Sequence, residues 1–295
     1  MDTFNNRTRN TYGPVISVNI NLQTKFIYST SGSSSSIVKH NDAIQKLGLN
    51  LVYFTIADEV TPEGYAALVR SPISRGAAVT GRGGLKSTII PFLDEVEPLA
   101  LKTQAVNTIV NNNGKLSGYN SDAIGLKTAL TKGIEASGRT IKTAVIYGNG
   151  GVSGVAFHVL LELGINVTMS GRNPERVLEK KKQLGLEHVA DFDGPYDLIV
   201  DATPISSDPN FLNAPGLLKL LEGCKMVFSH NMPEKDNKTN YFEKYCAENN
   251  LYFIPGKLMY NAQLAKQYRL LFEGYTKQDG SPVSEQDILE TWKVE

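Results

Sequence analysis

The sequence predicts an α/β fold made of two successive parallel sheets. Three observations lead there. Apolar, β-prone runs alternate with helical patterns, and a strand–helix–strand unit makes a parallel pair because such neighbours need a crossover of about a dozen residues. The length, 295 residues, fits two domains at roughly 100–200 residues each. A glycine-rich turn stands midway along the chain, between a strand pattern and a helix pattern.

The elements follow in order. Met1 to Gly13 is polar and lacks the apolar stretch of a signal peptide. A short strand is expected at Val15–Val18, and residues 1–22 read as an N-terminal extension. Strands are expected at Lys25–Ser29, Leu51–Thr55, Gly76–Thr80 and Ala105–Val110, with helices at Ile37–Leu47 and Pro62–Val69 between them. Asp122–Lys132 reads as the helix joining the two sheets. The second sheet draws on Thr143–Tyr147, Asn166–Ser170, Leu198–Asp201, Lys225–Ser229 and Leu251–Ile254. Its helices are Ser153–Leu163, Pro174–Gln183, Leu217–Glu222 and Asn240–Asn249. The helix Tyr260–Glu273 should return to the first domain. A turn at Asp279-Gly280-Ser281-Pro282 then leads to an amphipathic helix, Ser284–Trp292. The expected domains are 23–121 with 257–295, and 122–256.

Thirty basic residues balance thirty acidic ones, which leaves no electrostatic footprint for nucleic acid or an anionic membrane. Two cysteines, Cys224 and Cys246, stand in no metal-binding spacing and argue for a reducing, cytoplasmic compartment. No apolar run reaches the ~18 residues of a membrane span. The expected partner is a small molecule, for a monomer or homodimer with no metal site.

Thr143–Tyr147 leads into Gly148-Asn149-Gly150-Gly151-Val152-Ser153-Gly154 and then a helix. This G-x-G-G-x-x-G is a close variant of the Rossmann dinucleotide fingerprint. Gly148 permits the tight turn, Gly150 and Gly151 admit a pyrophosphate against the backbone, and the helix start offers free N–H groups. Asn149 completes the turn. The strand that follows ends in Gly171-Arg172-Asn173-Pro174-Glu175-Arg176, not in the acid that would hold the ribose hydroxyls of NAD. Arg172 and Arg176 can clamp a 2′-phosphate, so the expected cofactor is NADP.

Several segments together resemble the shikimate dehydrogenase family, from about Lys25 to Phe272. Phe92–Pro98 looks like the family's L-L-D-E-V-x-P. Gln104-Ala-Val-Asn107-Thr108-Ile-Val resembles G-A-V-N-T-I/V-V, and Gly118-Tyr-Asn120-Ser121-Asp122-Ala-Ile-Gly125 resembles G-Y-N-T-D-G-I-G. Arg172–Arg176 resembles N-R-T-x-x-R. Asp197-Leu-Ile-Val-Asp201-Ala202-Thr203-Pro204 resembles D-L-I-I-N-A-T-P, and Gly256–Ala265 resembles G-x-G-M-L-x-x-Q-A. The resemblance implies two α/β domains around a cleft, with substrate on the first and cofactor on the second, and an activity that oxidises or reduces a small cyclic hydroxy acid.

The resemblance also implies roles. Lys86, counted back from Pro91, is the proton partner of the reacting oxygen, and Asp122 pairs with it, with Ser121 expected as N-cap of the helix. Ser34 and Ser36, fixed by His40-Asn41, receive the substrate carboxylate. Thr80, Asn107 and Gln263 hold ring hydroxyls together with Asp122. Thr203 and Gly256 join the glycine turn at the cofactor. Polar groups around a small ring give strict selection, because an unpaired buried partner costs roughly 1–3 kcal/mol.

The chain also departs from the family. N-V-T becomes Ala78-Val79-Thr80, and the link to Lys86 is longer by two residues, Gly81-Arg82-Gly83-Gly84-Leu85. H-S-x-S-P becomes Ser33-Ser34-Ser35-Ser36-Ile37. The G-M after A-T-P becomes Ser206-Ser207, the second glycine of the closing segment becomes Leu258, and D-x-x-Y-N-P blurs into Ser229-His230-Asn231-Met232-Pro233. All fall on the expected cleft, where Leu258 would narrow the nicotinamide pocket. Three readings stay open: a shikimate enzyme, a quinate or amino-shikimate enzyme of altered specificity, and a catalytically weak sensor that binds the same ligands. A folate-type dehydrogenase is disfavoured by Asn120-Ser121-Asp122.

Overall fold

The computed structural model describes residues 17–31, 34–56, 59–80, 84–186, 194–232 and 239–292. Its first half contains β1 (Lys25–Ser29), α1 (Ser34–Lys46), β2 (Leu51–Thr55), α2 (Pro62–Val69), β3 (Ser74–Ala78), α3 (Leu85–Thr88), β4 (Glu95–Val96), α4 (Pro98–Thr103), β5 (Thr108–Asn112) and β6 (Lys115–Tyr119). Six strands form one sheet in the order β2-β1-β3-β5-β6-β4. β1 runs parallel to β2 and β3, but β5 is antiparallel to both β3 and β6. The first sheet is therefore mixed, not wholly parallel. The cause is a hairpin: Asn113 and Gly114 both take positive φ, 52° and 93°, the backbone of a two-residue turn whose twist matches its strands. The alternation of strand and helix patterns does not reveal β6 and β4, nor the short helices α3 and α4.

A helix, α5 (Ser121–Ser137), leads to the second half. It ends at Gly138, whose φ of 62° is the left-handed cap, later than the expected Lys132. Then follow β7 (Thr143–Tyr147), α6 (Gly151–Glu162), β8 (Asn166–Ser170), α7 (Pro174–Gln183), β9 (Leu198–Asp201), α8 (Leu217–Leu221), β10 (Met226–Ser229), α9 (Tyr241–Glu248) and β11 (Tyr252–Pro255). These strands make a five-stranded, all-parallel sheet in the order β11-β10-β9-β7-β8. Apolar side chains leave it on both faces. Ile146, Val200 and Phe228 meet α5 and α6, and Val145, Ile199 and Val227 meet α8 and α9.

The chain closes with α10 (Gly256–Leu271) and α11 (Glu285–Thr291). Met259, near the start of α10, packs in the core of the second lobe, while Leu264, Tyr268 and Leu271 pack with Ile27 and Ile44 in the first. The helix thus returns to the first lobe, as its place after the last strand predicts. It lies flush on α5 because Gly125 is a glycine: a Cβ there would sit 2.5 Å from the Met259 carbonyl oxygen. The tail docks Ile288 and Trp292 into the first core, where Trp292 Nε1 donates to His40 Nδ1 at 2.8 Å. Ser17 and Val18 form no strand, contrary to expectation. Instead the Ser17 carbonyl accepts a hydrogen bond from Gln45 on α1.

Candidate active site

Lys86 is the second residue of α3, a single turn anchored by its buried neighbours Leu85 and Ile89 and by the Val106 N–H, which donates to the Lys86 carbonyl at 2.8 Å. Asp122 lies in the first turn of α5, where a carboxylate is favoured by the helix dipole. Lys86 Nζ and Asp122 Oδ2 are 2.6 Å apart, with 28% and 11% of their side chains exposed. Residues from two distant segments thus form one ion pair, part-buried and open to solvent on one side. Ser121 is not the N-cap that was expected. Asn120 holds that position, its Nδ2 donating to Thr103 Oγ1 at 2.9 Å.

The free N–H of Ser121 finds its partner elsewhere. Asn107 Oδ1 accepts from it at 2.9 Å, and Asn107 Nδ2 donates to Ser121 Oγ at 2.9 Å. Asn107 therefore fixes the start of α5, and with it Asp122, and among the described residues its second amide hydrogen makes no hydrogen bond. Its backbone carbonyl accepts from Val79 N, one residue before Thr80, and from Gln267 Nε2 on α10. Gln263, one turn earlier on α10, packs against Gly125, which follows Asp122 by one turn of α5. Lys86, Asp122, Asn107, Thr80 and Gln263 are therefore connected neighbours.

Thr80 Oγ1 donates to the Thr30 carbonyl at 2.9 Å and faces Thr30 Oγ1 at 3.0 Å, and Thr30 Oγ1 accepts from Thr80 N. Thr30 escapes sequence reasoning. It follows β1 directly, and the parallel pairing of β1 with β3 is what brings it beside Thr80. Tyr53, buried in the first core, packs against His40. Burial pushes its phenol up to about 12, against hydrogen bonds with Ser29 and Ser31 that favour ionisation. Ser36 lies part-exposed in the first turn of α1 and Ser34 heads the same helix. The side chain of Ser34, and residues 81–83 with Arg82, lie outside the described residues.

The second lobe presents the glycine turn. Gly148 has φ 115°, and a Cβ on it would meet Thr203 Cγ2 at 2.5 Å, so turn and loop are in close contact. A Cβ on Gly151, the first residue of α6, would meet nothing within 4 Å, and Asn149, Gly150 and Gly151 are all exposed. Open space thus stands in front of a twelve-residue helix start, which is what a pyrophosphate needs. Gly171 runs against this turn, its would-be Cβ 3.5 Å from Gly148 Cα, and carries the exposed Arg172 to its edge. Arg176 follows in the first turn of α7, where its N–H is capped by Asn173. Among the described residues neither guanidinium has an ion-pair partner. The arrangement fits a phosphorylated dinucleotide.

Other positions have plainer surroundings. A Cβ on Gly256 would lie 2.6 Å from the His230 carbonyl oxygen, so this glycine lets α10 start against the end of β10. Leu258 rests on the second core and, with Ile124, lines a groove of about 770 Å³ along the α5–α10 pair. Ala78 is buried at the end of β3, and Ser206 accepts from Asn231 Nδ2 at 2.8 Å. Among the described residues no three His, Cys, Asp or Glu side chains gather as for a metal, and no helix is long and apolar enough to cross a membrane.

Comparison with known proteins gives a consistent result. The profile of the shikimate dehydrogenase substrate binding domain matches residues 30–109. A shikimate dehydrogenase (NADP(+)) of Bacillus cereus (strain 03BB102) is 33% identical over 196 residues, covering 62% of this chain and 69% of the relative. Among solved structures, the shikimate 5-dehydrogenase of Thermus thermophilus in complex with NADP(H) and shikimate has a TM-score of 0.68 at 25% identity, covering 92% of this chain and 98% of that one. A shikimate dehydrogenase in complex with NADP+ reaches 0.70 at 27% identity, with 96% and 100% covered.

Proposed function

The chain belongs to the shikimate dehydrogenase family, and from that membership we propose that it interconverts shikimate and 3-dehydroshikimate, or a closely related cyclic hydroxy acid, with NADP. The observation that carries this reading is the 2.6 Å contact between Lys86 and Asp122. NADP, bound to the second lobe, would supply the hydride-transfer chemistry. Every other task falls to the chain. In reduction the Lys86 ammonium gives its proton to the carbonyl oxygen as carbon is reduced, and in oxidation the neutral amine takes it back. Asp122 holds the ammonium in place and accepts a hydrogen bond from the same hydroxyl. Thr80, the spare amide hydrogen of Asn107, and Gln263 orient the ring, and Ser34 and Ser36 take the carboxylate at the start of α1.

Residues 23–121 with 257–295 form the substrate lobe in this reading, and 122–256 the cofactor lobe. The profile match at 30–109 supports that division. Asn149, Gly150 and Gly151 receive the pyrophosphate. Arg172 and Arg176 select the 2′-phosphate, and Gly148, Thr203 and Gly256 shape the floor. The reading places the enzyme in the cytoplasm, in aromatic amino acid biosynthesis. A quinate or amino-shikimate enzyme is the second reading, favoured by Ala78, whose buried methyl stands where the family has an amide.

Initial rates with shikimate, quinate and an amino analogue, each with NADP+ and NAD+, test the proposal. Shikimate with NADP+ should be fastest by at least about tenfold, a margin of ~1.4 kcal/mol. A faster rate with either other substrate overturns the substrate in favour of the second reading. Tight shikimate binding without turnover overturns the enzyme.

A further inference from the structure

Asp201 ends β9, the central strand of the second sheet, and is 0% exposed. Its register partners are Tyr147, the residue before the glycine turn, and Ser229 at the end of β10. Oδ1 accepts from Thr203 N at 3.0 Å and Thr203 Oγ1 at 2.6 Å, and Oδ2 accepts from Ser229 Oγ at 2.8 Å. Thr203 Oγ1 in turn accepts from Ile205 N at 3.2 Å. One carboxyl thus shapes the whole turn after β9, and that turn bears on the glycine loop: Thr203 Cγ2 and the Ala202 carbonyl oxygen are the atoms a Cβ on Gly148 would strike.

Hydrogen bonding alone does not call for an acid. The family pattern D-L-I-I-N-A-T-P has asparagine here, and a carboxamide can reach the same partners, its oxygen accepting from Thr203 and its N–H donating to the Ser229 hydroxyl in place of the bond that Oδ2 accepts. The acid adds a charge beside a site built for anions. We propose that Asp201 is a positioning residue of the dinucleotide site, holding Thr203 against the glycine turn, and that its ionisation opposes the binding of the cofactor's phosphates. The inference rests on NADP binding to this lobe.

The surroundings disfavour the charged form. Burial raises the Asp201 carboxyl above its usual range, against the hydrogen bonds from Thr203 and Ser229 and the nearby His230. Among the described residues the titratable and charged groups facing it are few. His230 Nδ1 lies 3.0 Å from the Asp201 carbonyl oxygen. Tyr147 lies on β7, with Arg172 beyond it, its phenol raised by burial. Among the described residues no lysine or arginine pairs with Asp201. A buried charge without a cationic partner acts at longer range than a paired one.

The sign follows from linkage. Phosphate binding favours the neutral acid, so binding draws a proton onto Asp201, and affinity declines as pH rises through its folded value. The test measures the NADP+ dissociation constant from pH 5 to 9 for the wild type and Asp201→Asn. The 2′-phosphate titrates equally in both and cancels in the comparison. The expected result is that Asp201→Asn binds more tightly than wild type at the alkaline end of the range, with the advantage shrinking as pH falls. Calorimetry of wild type in two buffers of different ionisation enthalpy, across the same range, should show proton uptake on binding at the alkaline end, which keeps the test open should the variant not fold. Parallel profiles, or no proton uptake, overturn the inference while NADP binding stands. Absence of NADP+ binding at every pH overturns the cofactor reading as well.

Discussion

The two lobes handle polar groups in opposite ways. In the first, the candidate groups are already bonded to one another: Lys86 to Asp122, Asn107 to Ser121, Thr80 to Thr30. In the second, the donors face outward, with an open helix start at Gly151 and two arginines without ion-pair partners among the described residues. The difference follows ligand charge. A small, mostly neutral ring needs groups whose geometry is set beforehand, since each hydrogen bond to it is weak and directional. A multiply charged dinucleotide brings its own strong attraction, and charge-assisted contacts form on arrival.

Four variants, one of them double, together with a pH profile of His40, sharpen or break this contrast, the variants in falling order of effect. Asp122→Ala should lower kcat by about 10²–10⁴, the usual worth of positioned proton transfer, with a smaller change in KM. A raised KM with kcat unchanged would mean that Asp122 serves binding alone. Second, Trp292→Ala should cost about 3–5 kcal/mol in denaturant unfolding, because the indole fills the first core and caps His40. A tail that merely lies on the surface would cost under ~0.5 kcal/mol.

His40 also gives the first lobe a pH signature. Burial, then the Lys39 charge, push its imidazole down to about 3, against about 6.5 when unfolded. The unfolded chain therefore binds the extra proton first. This stability is fully present above about pH 6.5 and is lost as pH falls towards 3, at up to ~1.4 kcal/mol per pH unit. The gap between the unfolding free energies of wild type and His40→Asn should be constant above about pH 6.5 and shrink as pH falls towards 3.

Third, Arg172→Ala with Arg176→Ala should weaken NADP+ binding about 10–100-fold, a loss of roughly 1.5–3 kcal/mol for bonds to charged groups, and leave NAD+ nearly unchanged. An equal loss for both cofactors would remove the 2′-phosphate from their role. Fourth, Asn107→Ala removes the acceptor of the first α5 N–H. It should cost about 1–2 kcal/mol of stability, like the loss of a helix cap, along with some loss of kcat. Differential scanning calorimetry alongside kinetics separates the two effects.

The second lobe was the more legible of the two. Its strands are buried on both faces, so each reads as a continuous apolar run, and Thr143–Tyr147, Asn166–Ser170 and Leu198–Asp201 fall where the pattern puts them. The first lobe hides more. β6 is Lys-Leu-Ser-Gly-Tyr, too polar and too short for periodicity to detect. Yet Asn113-Gly114 just before it is the strongest short signal for a hairpin. Gly256 gave α10 an earlier start than Tyr260, because a glycine at a close backbone contact looks like a loop in the sequence. Lys86 and Asp122 were found through their motifs. Thr30 and Asp201 were not, since the partners that define them come from neighbouring strands.

In the proposed function Lys86 is central as a proton carrier and not only as a positive charge. Lys86→Arg separates those roles, because arginine can pair with Asp122 but stays protonated at working pH. Shikimate affinity by calorimetry and turnover with NADP+ should then part company. Affinity should hold within about threefold while kcat falls at least ~100-fold. A Lys86→Arg enzyme turning over within about tenfold of wild type would contradict that role.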